Sequence, residues 1–283
     1  GVDIDRLRAA HPRMVFLGHF DKMTMNRGEA AMRSEFERLL PVAAGGGFLV
    51  SCDHQTPPGV SYVETLEQLP AKLRIAVSPG LGYARVQHDV WREVETAIDV
   101  FRRLGHEVET IDDAFPDLGV EWALVSAAEN YGLLADRVEA HRDEWGRAFY
   151  EGLQQGKKIG PEFIARAQRK RAEPQAVLAK IFAEYALLLT PTLPTEAFAA
   201  AGPFPDAIDG GPITSALGAV AFTYPFNFSG HPAASVRAGF TDAGLPAGLQ
   251  IVGPIGADAL VLRASRAYEA AHPIPTLDTP RQR

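Results

Sequence analysis

Two short segments of the sequence place a histidine beside residues with which it could do chemistry. Cys52-Asp53-His54 follows the apolar run Phe48-Leu-Val50, and a histidine at the carboxyl end of a buried strand can hold a carboxylate or act as a general acid. Its alternative role is that of a loop histidine that binds backbone groups. Ser229-Gly230-His231 places a hydroxyl near an imidazole, but a nucleophile also needs an orienting group and an oxyanion hole. This second segment is more typical of a tight turn that enters a strand.

The sequence around His54 predicts two strands joined by a helix. Met14-Val-Phe-Leu-Gly18 and Phe48-Leu-Val50 are short apolar runs, typical of strands that are buried on both faces. Gly28 to Leu40 has its apolar residues at helical spacing, and Pro41 is expected to end the helix. A strand, a helix and a strand with short links predict a parallel pair.

Asp21 is a second candidate for a polar site in this segment. Parallel neighbours end at the same edge of a sheet, so Asp21 after the first strand and His54 after the second are expected on one rim. Two strands and one helix cannot cover both faces of a sheet. We therefore expect this segment to be part of something larger, with exposed apolar faces through which the chain could self-associate.

From Leu73 onward, short apolar runs alternate with helical segments, which is typical of an α/β domain. The predicted strands are Leu73–Val77, His106–Ile111, Leu187–Thr190, Ala233–Gly239 and Gly248–Val252. The predicted helical segments are Asp89–Leu104, most of Trp122–Ala183, and Asp258–Ala271. Leu73–Val77, Leu187–Thr190 and Leu249–Val252 are expected in one mixed sheet, and the segment 202–212, rich in Pro and Gly, is expected to be a loop.

The amino-acid composition and charge argue against several classes of function. The 283 residues are 46% apolar and 22% charged, which suits a globular protein with a real core. The net charge of -7, with both signs mixed along the chain, gives no electrostatic footprint for nucleic acid or an anionic membrane. No apolar run reaches the roughly 18 residues of a membrane span. Cys52 is the single cysteine, and without a secretory leader the chain is expected to be cytoplasmic.

The sequence predicts no cofactor and no metal. Gly80-Leu-Gly82 is half of a dinucleotide-binding fingerprint, but Arg85 stands where the third glycine belongs, so a turn between strand and helix is favoured. Paired C-x-x-C, H-E-x-x-H, P-loop and G-x-S-x-G patterns are all missing from these residues.

Four ordered motifs resemble the C-terminal half of an amidase-signature hydrolase. They are Leu73-Arg-Ile-Ala-Val-Ser-Pro79, Leu187-Leu-Leu-Thr-Pro-Thr-Leu-Pro194, Phe222-Thr-Tyr-Pro-Phe-Asn-Phe-Ser-Gly-His-Pro-Ala-Ala-Ser235 and Gly244-Leu-Pro-Ala-Gly-Leu-Gln-Ile-Val-Gly-Pro254. The resemblance covers residues 65–283 and implies an α/β fold with a mixed sheet. It implies that the third motif lines a channel for a small-molecule amide, with Phe226, Asn227 and Ser229 as substrate-binding candidates.

The resemblance also implies a mechanism whose residues are not found in this sequence. In that family a Ser/cis-Ser/Lys triad hydrolyses carboxamides through an acyl-enzyme. The triad lies around a Gly/Ser-rich signature in the family's first half, and no segment here resembles that signature. The expectation is an amidase-family polypeptide that lacks the catalytic segment and is inactive alone, so no catalytic residue is assigned.

Val220 marks a departure within the third motif. The tRNA-dependent amidotransferase branch of the family usually has an aspartate two residues before the Phe-Thr pair, and Val220 occupies that position here. The resemblance is therefore to the broad-specificity amidases. An apolar wall at this point would suit acyl or aryl amides.

The first segment resembles a different family. Leu17-Gly-His-Phe-Asp-Lys22 and Gly46-Gly-Phe-Leu-Val-Ser-Cys-Asp-His-Gln-Thr-Pro-Pro-Gly-Val-Ser61 resemble the last two βα units of a uroporphyrinogen-decarboxylase-like barrel, a superfamily that includes corrinoid-linked methyltransferases. The resemblance covers residues 1–64 and implies a partial (β/α) barrel tail. It also implies a substrate-facing role for His54.

The leading interpretation is therefore a fusion or fragment in which an incomplete barrel tail, residues 1–64, precedes an incomplete amidase-like half, residues 65–283. Two alternatives stay open at this point. The chain could be a relative of the decarboxylases and methyltransferases, or a non-catalytic binding module that has kept the amidase channel.

Overall fold

The computed structural model describes residues 16–20, 29–44, 48–52, 69–70, 72–112, 114–199, 204–215 and 217–273. The chain forms two compact units, Gly1–Thr65 and Leu66–Arg283. His54 and Asp21, the two candidates from the first segment, lie outside the described residues.

In the first unit, two strands and one helix are described. Strand β1 (Phe16–Phe20) pairs in parallel with β2 (Phe48–Cys52), as the sequence predicts, and helix α1 (Glu29–Ala44) connects them. The expected end of the helix at Pro41 is wrong, because α1 continues for three more residues. Proline's fixed φ is compatible with a helix, so the helix can pass through Pro41 at the cost of one i→i−4 hydrogen bond and of crowding between its ring and the carbonyl four residues earlier. The assignment of this unit to a barrel stays a prediction.

The second unit is built on a mixed five-stranded sheet. Its strands are β3 (Arg74–Val77), β4 (Glu107–Thr110), β5 (Leu187–Pro191), β8 (Ala233–Phe240) and β9 (Pro246–Val252), in the order β4-β3-β5-β9-β8. β4, β3 and β5 are parallel, and β9 runs antiparallel to both β5 and β8. The predicted mixed sheet containing the three apolar runs is thereby confirmed.

Seven α-helices, two short 3₁₀ helices (Arg142–Glu144 and Gly218–Val220) and a small hairpin complete the described part of this unit. The helices are α2 (His88–Arg103), α3 (Gly119–Val138), α4 (Arg147–Gly156), α5 (Pro161–Lys170), α6 (Ala172–Glu184), α7 (Tyr224–Ser229) and α8 (Asp258–Ala271). The hairpin strands are β6 (Ala207–Ile208) and β7 (Gly211–Pro212), which lie in the segment expected to be a loop.

Alternation along the strands divides the core between the two faces of the sheet. Ile75 and Leu187 point to the face that α2 and α8 cover, where the rings of Phe101 and Tyr268 stack with centroids 5.7 Å apart. Ala76 and Leu188 point to the opposite face, which α6 and α7 cover. β5 has all five residues buried, as expected for a strand with helices on both faces.

The helices that follow β3 and β4 leave towards opposite faces. α2, after β3, packs in the first core cluster. After β4, Ile111 and Phe115 pack in the second cluster, and Trp122 of α3 lies beside Tyr224 of α7 with ring centroids 6.2 Å apart. In open α/β sheets, such a divergence opens a crevice at the carboxyl ends of the two strands, and ligands bind there.

His106, just before β4, makes the stability of this unit depend on pH. Its Nδ1 accepts a hydrogen bond from the Leu73 N–H (3.3 Å), and its buried Nε2 has no partner among the described residues. Burial lowers the pKa of His106. As the pH falls below 6.5, the ordinary pKa of histidine, His106 is protonated more readily in the unfolded chain than in the folded one. The free energy of unfolding therefore decreases as the pH falls.

We expect His106→Asn, which keeps an acceptor at the δ position, to lose less stability between pH 7.5 and pH 5.5 than the native chain does. Urea unfolding at the two pH values measures this difference. His88→Gln, at an exposed histidine, is the control and is expected to retain the native pH dependence. An unchanged pH dependence in His106→Asn would contradict the assignment.

Candidate functional site

The second unit has a cleft at the carboxyl ends of β3 and β4. Its volume is about 790 Å³. One wall is the turn after β3, a second is the segment 110–112 that ends β4, and a third is formed by the β6–β7 hairpin and the segment 213–215. Its polar lining residues include Ser78, Arg85, Thr110, Asp112, Thr214 and Ser215. The cleft thus occupies the crevice that the diverging helices open.

The turn after β3 holds a strained backbone. Leu81 has φ +51° and Gly82 has φ +77°, both in the left-handed region. The strain at Leu81 is tolerated because its side chain is completely buried and its N–H donates to Ser78 Oγ at 3.1 Å. Ser78 Oγ accepts that bond, so its own proton is left to donate elsewhere. The turn therefore presents a rigid, polar edge to the cleft.

Two stacked tyrosines, Tyr83 and Tyr224, form and support one wall of the cleft. Tyr83 lines it, donates from its hydroxyl to the Ala221 carbonyl (2.8 Å), and stacks on Tyr224 with centroids 6.4 Å apart. Tyr224 donates to Asp117 Oδ1 at 2.7 Å, and the same oxygen accepts the Gly119 N–H at the start of α3. Burial raises the pKa of both Tyr83 and Tyr224, so both hydroxyls remain protonated donors at neutral pH.

The hairpin wall is tied to α2. Asp209 and Gly210 form its tight turn with φ +48° and +72°, as expected for an Asp-Gly pair. The Asp209 carboxylate accepts the His88 N–H at 2.7 Å, at the beginning of α2. Arg85 lies against the hairpin so closely that a Cβ at Gly211 would be 2.5 Å from its Cζ. Glycine at position 211 therefore lets the guanidinium pack on the hairpin backbone.

The predicted substrate-binding residues of α7 lie elsewhere. Phe226 is 1% exposed and packs in the second core cluster, edge-on to Phe115 at 6.2 Å. Asn227 is exposed, and Ser229 is buried. None of the three lines the cleft. Their role in substrate binding stays a prediction.

Ser229 and His231 are close in space, but their hydrogen bonds do not suit a nucleophile and its base. His231 Nδ1 lies 2.9 Å from Ser229 Oγ, where either atom can be the donor, and the same hydroxyl lies 3.3 Å from the Phe226 carbonyl, to which it can also donate. Among the described residues no further group hydrogen-bonds to the His231 ring, so the pair lacks the orienting third member that a nucleophile and its base need. Burial also lowers the pKa of His231. With Gly230 at φ +82°, the pair forms the tight turn into β8 that the sequence predicts.

Sequence reasoning missed the residues of the cleft. Ser78-Pro-Gly-Leu-Gly82 was predicted only as a turn, and Asp112 and Ser215 carry no local signature. The one available signal is that two predicted parallel strands end there. Within the described residues, no cluster of three or more His, Cys, Asp or Glu side chains could hold a metal ion. No helix in that part of the chain is long and apolar enough to cross a membrane.

Comparison with known proteins gives consistent matches. The sequence model of the Amidase family matches residues 50–262. An acylamidase from Rhodococcus erythropolis is 31% identical over 220 residues, which cover 75% of this chain and 45% of the relative. The putative amidase AmiA2 from Mycobacterium tuberculosis is 28% identical over 262 residues, covering 89% and 52% of the two chains. A bacterial aryl acylamidase of the amidase signature family superposes with a TM-score of 0.65 at 28% identity, covering 81% of this chain and 48% of that one.

The extent of these matches bears on the organisation of the chain. The chain spans about half the length of the curated relatives it matches. The family match begins at residue 50, inside the segment that resembles a barrel tail. That second resemblance gains no support from these comparisons.

Proposed function

Because the chain belongs to the amidase family, we propose that its second unit holds a small carboxamide in the cleft at the ends of β3 and β4, as part of a carbon–nitrogen hydrolase. The observation that carries this proposal is the position of the cleft, at the strand ends where the following helices diverge. Large concave sites at that position are the default ligand sites of α/β folds.

The lining suits an amide that carries an apolar group. The Ser78 hydroxyl can donate to a carbonyl oxygen, and Ser215 Oγ is buried with no partner among the described residues. Tyr83, Ile111 and Ile208 supply apolar surface for an acyl or aryl group. The names of two relatives, an acylamidase and an aryl acylamidase, support that choice of substrate class.

We further propose that these 283 residues by themselves bind amides without hydrolysing them. Amide hydrolysis needs an activated nucleophile and preorganised donors for the oxyanion, and removing either typically costs about two or more orders of magnitude in rate. No segment of the chain resembles the Gly/Ser-rich signature that carries the family's triad. We do not expect Ser229 to replace it, because Ser229 is 1% exposed and does not line the cleft. Cytoplasmic location and self-association stay predictions.

The test combines a binding and a turnover measurement with acetanilide, an aryl amide. We expect binding by ligand-detected NMR and no release of aniline above the uncatalysed rate. Thr110→Trp, which fills the cleft from β4, is expected to weaken binding by at least about tenfold, a loss of about 1.4 kcal/mol.

Glu107→Trp is the matched control, because Glu107 is exposed on the same strand outside the cleft. Equal binding by both tryptophan variants would show that the amide does not occupy the cleft. Aniline release that disappears in Ser229→Ala would show that the chain has a nucleophile of its own.

A further inference from the structure

Two side chains of opposite charge line the cleft. Arg85 and Asp112 are both exposed in it. Throughout the part of the chain that the structure describes, neither side chain forms a hydrogen bond or an ion pair, with each other or with a third residue. The cleft therefore offers a ligand one cation and one anion that are exposed to solvent and form no ion pair within the described residues.

The Arg85 guanidinium lies in the cleft beside the β6–β7 hairpin. It lies against the Gly211 backbone, since a Cβ there would be 2.5 Å from Cζ and 2.8 Å from Nη2. The hairpin that carries Gly211 is itself held by the bond from the His88 N–H to Asp209. A guanidinium in this position can bind a carboxylate with two parallel hydrogen bonds.

Asp112 is placed on a different wall. It directly follows Ile111, whose N–H donates to the Val77 carbonyl at 2.9 Å and so extends the β3–β4 pairing by one residue. Asp112 therefore enters the cleft from the end of β4, while Arg85 enters from the chain after β3. Tyr83 and Ile111, which also line the cleft, supply apolar surface.

We propose that this cleft selects small zwitterions, molecules with a carboxylate and an ammonium group at the ends of an apolar chain. A ligand that is only an anion would meet Asp112, and one that is only a cation would meet Arg85, so each would gain one attraction and one repulsion. A zwitterion pairs its carboxylate with Arg85 and its ammonium with Asp112. This inference rests on the proposed function, and it makes the substrate an amide with oppositely charged ends.

The test uses the full 283-residue chain and isothermal calorimetry with three ligands. They are 5-aminopentanoate, its N-acetyl derivative, which keeps only the carboxylate, and 5-aminopentanamide, which keeps only the ammonium group. We expect the zwitterion to bind at least about tenfold more tightly than either derivative, because each charge-assisted contact contributes separately.

The variants assign each charge to a residue. Arg85→Gln is expected to lower the affinity for the zwitterion at least about tenfold without lowering the affinity for 5-aminopentanamide. Asp112→Asn is expected to lower the affinity for the zwitterion without lowering the affinity for the N-acetyl derivative. Arg103→Gln, at an exposed arginine of α2 outside the cleft, is the control and should bind like the native chain.

Three results would overturn the proposal: no binding of the zwitterion, equal binding of all three ligands, or the same loss for all three in both variants. If acetanilide still binds and Thr110→Trp still weakens it, the proposed function stands and only the preference for zwitterions fails. If Thr110→Trp leaves acetanilide binding unchanged, the proposed function fails as well.

Discussion

Phe226→Ala is expected to lower the free energy of unfolding of the second unit by about 3–5 kcal/mol, the usual cost of removing a fully buried phenylalanine ring. The ring is 1% exposed and packs against Phe115, Leu178 and other residues of the second core cluster. Urea unfolding followed by circular dichroism measures the change. We expect the substitution to lower the stability of the unit and not to remove a contact with the ligand.

Asn227→Ala is the matched control, since this neighbour on α7 is exposed. Its free energy of unfolding should stay within about 0.5 kcal/mol of the native value. Phe226→Leu, which keeps a buried apolar side chain, should retain native affinity for acetanilide. A weaker affinity in Phe226→Leu with native stability would mean that the ring contacts the substrate, as the family resemblance implies.

The sheet could be predicted because its strands carry their own signal. Leu187-Leu-Leu-Thr190 is a run of apolar residues closed by Thr, and it forms a central strand with helices on both faces. Helix α8 was predicted with its observed bounds, Asp258 to Ala271, because an acidic first turn precedes a regular apolar stripe. Such patterns lie within a short stretch of sequence, so they can be recognised without knowledge of the rest of the fold.

The hairpin β6–β7 could not be predicted in the same way. Its strands have two residues each, and both are short enough to be read as part of a loop rich in Pro and Gly. It is fixed by contacts made far away in sequence, from Asp209 to the His88 N–H and from Arg85 to Gly211. A pattern of residue types within 202–212 contains none of that information.

The candidate site was difficult to predict for the same reason, that its contacts join residues far apart in sequence. The motif around α7 was found, but a helix of six residues gives too little periodicity to tell that Phe226 faces the core while Asn227 faces solvent. The cleft joins Ser78, Asp112 and Ser215, which come together only when β3 and β4 are paired and the hairpin is docked. Their chemistry depends on tertiary structure, so the sequence signals only the strand ends.

The second large effect is expected from Gly156, at the end of α4 where it packs on α3. A Cβ at this buried glycine would lie 2.0 Å from the Ala127 carbonyl oxygen and 2.4 Å from its carbon. Both are backbone atoms of a helix and cannot rotate away, so α3 and α4 would have to separate. We expect Gly156→Ala to cost more than about 4 kcal/mol, beyond the usual range for a single substitution.

Gly152→Ala provides the control within the same helix. A Cβ at Gly152 meets nothing within 4 Å, so alanine's helix preference should stabilise the chain by about 0.5–1 kcal/mol. Thermal and urea unfolding of both variants measure the contrast. Similar stabilities for the two would show that α3 and α4 are not in close contact.

The consequence of Gly156→Ala extends to the cleft. α3 begins at Gly119, whose N–H binds the same Asp117 oxygen that accepts the Tyr224 hydroxyl, and Tyr224 stacks on Tyr83 in the cleft wall. Displacement of α3 should therefore disturb Tyr83 and weaken acetanilide binding, even under conditions where the variant stays folded. Native affinity in folded Gly156→Ala would mean that the cleft is independent of α3, and that the tyrosine pair alone positions its wall.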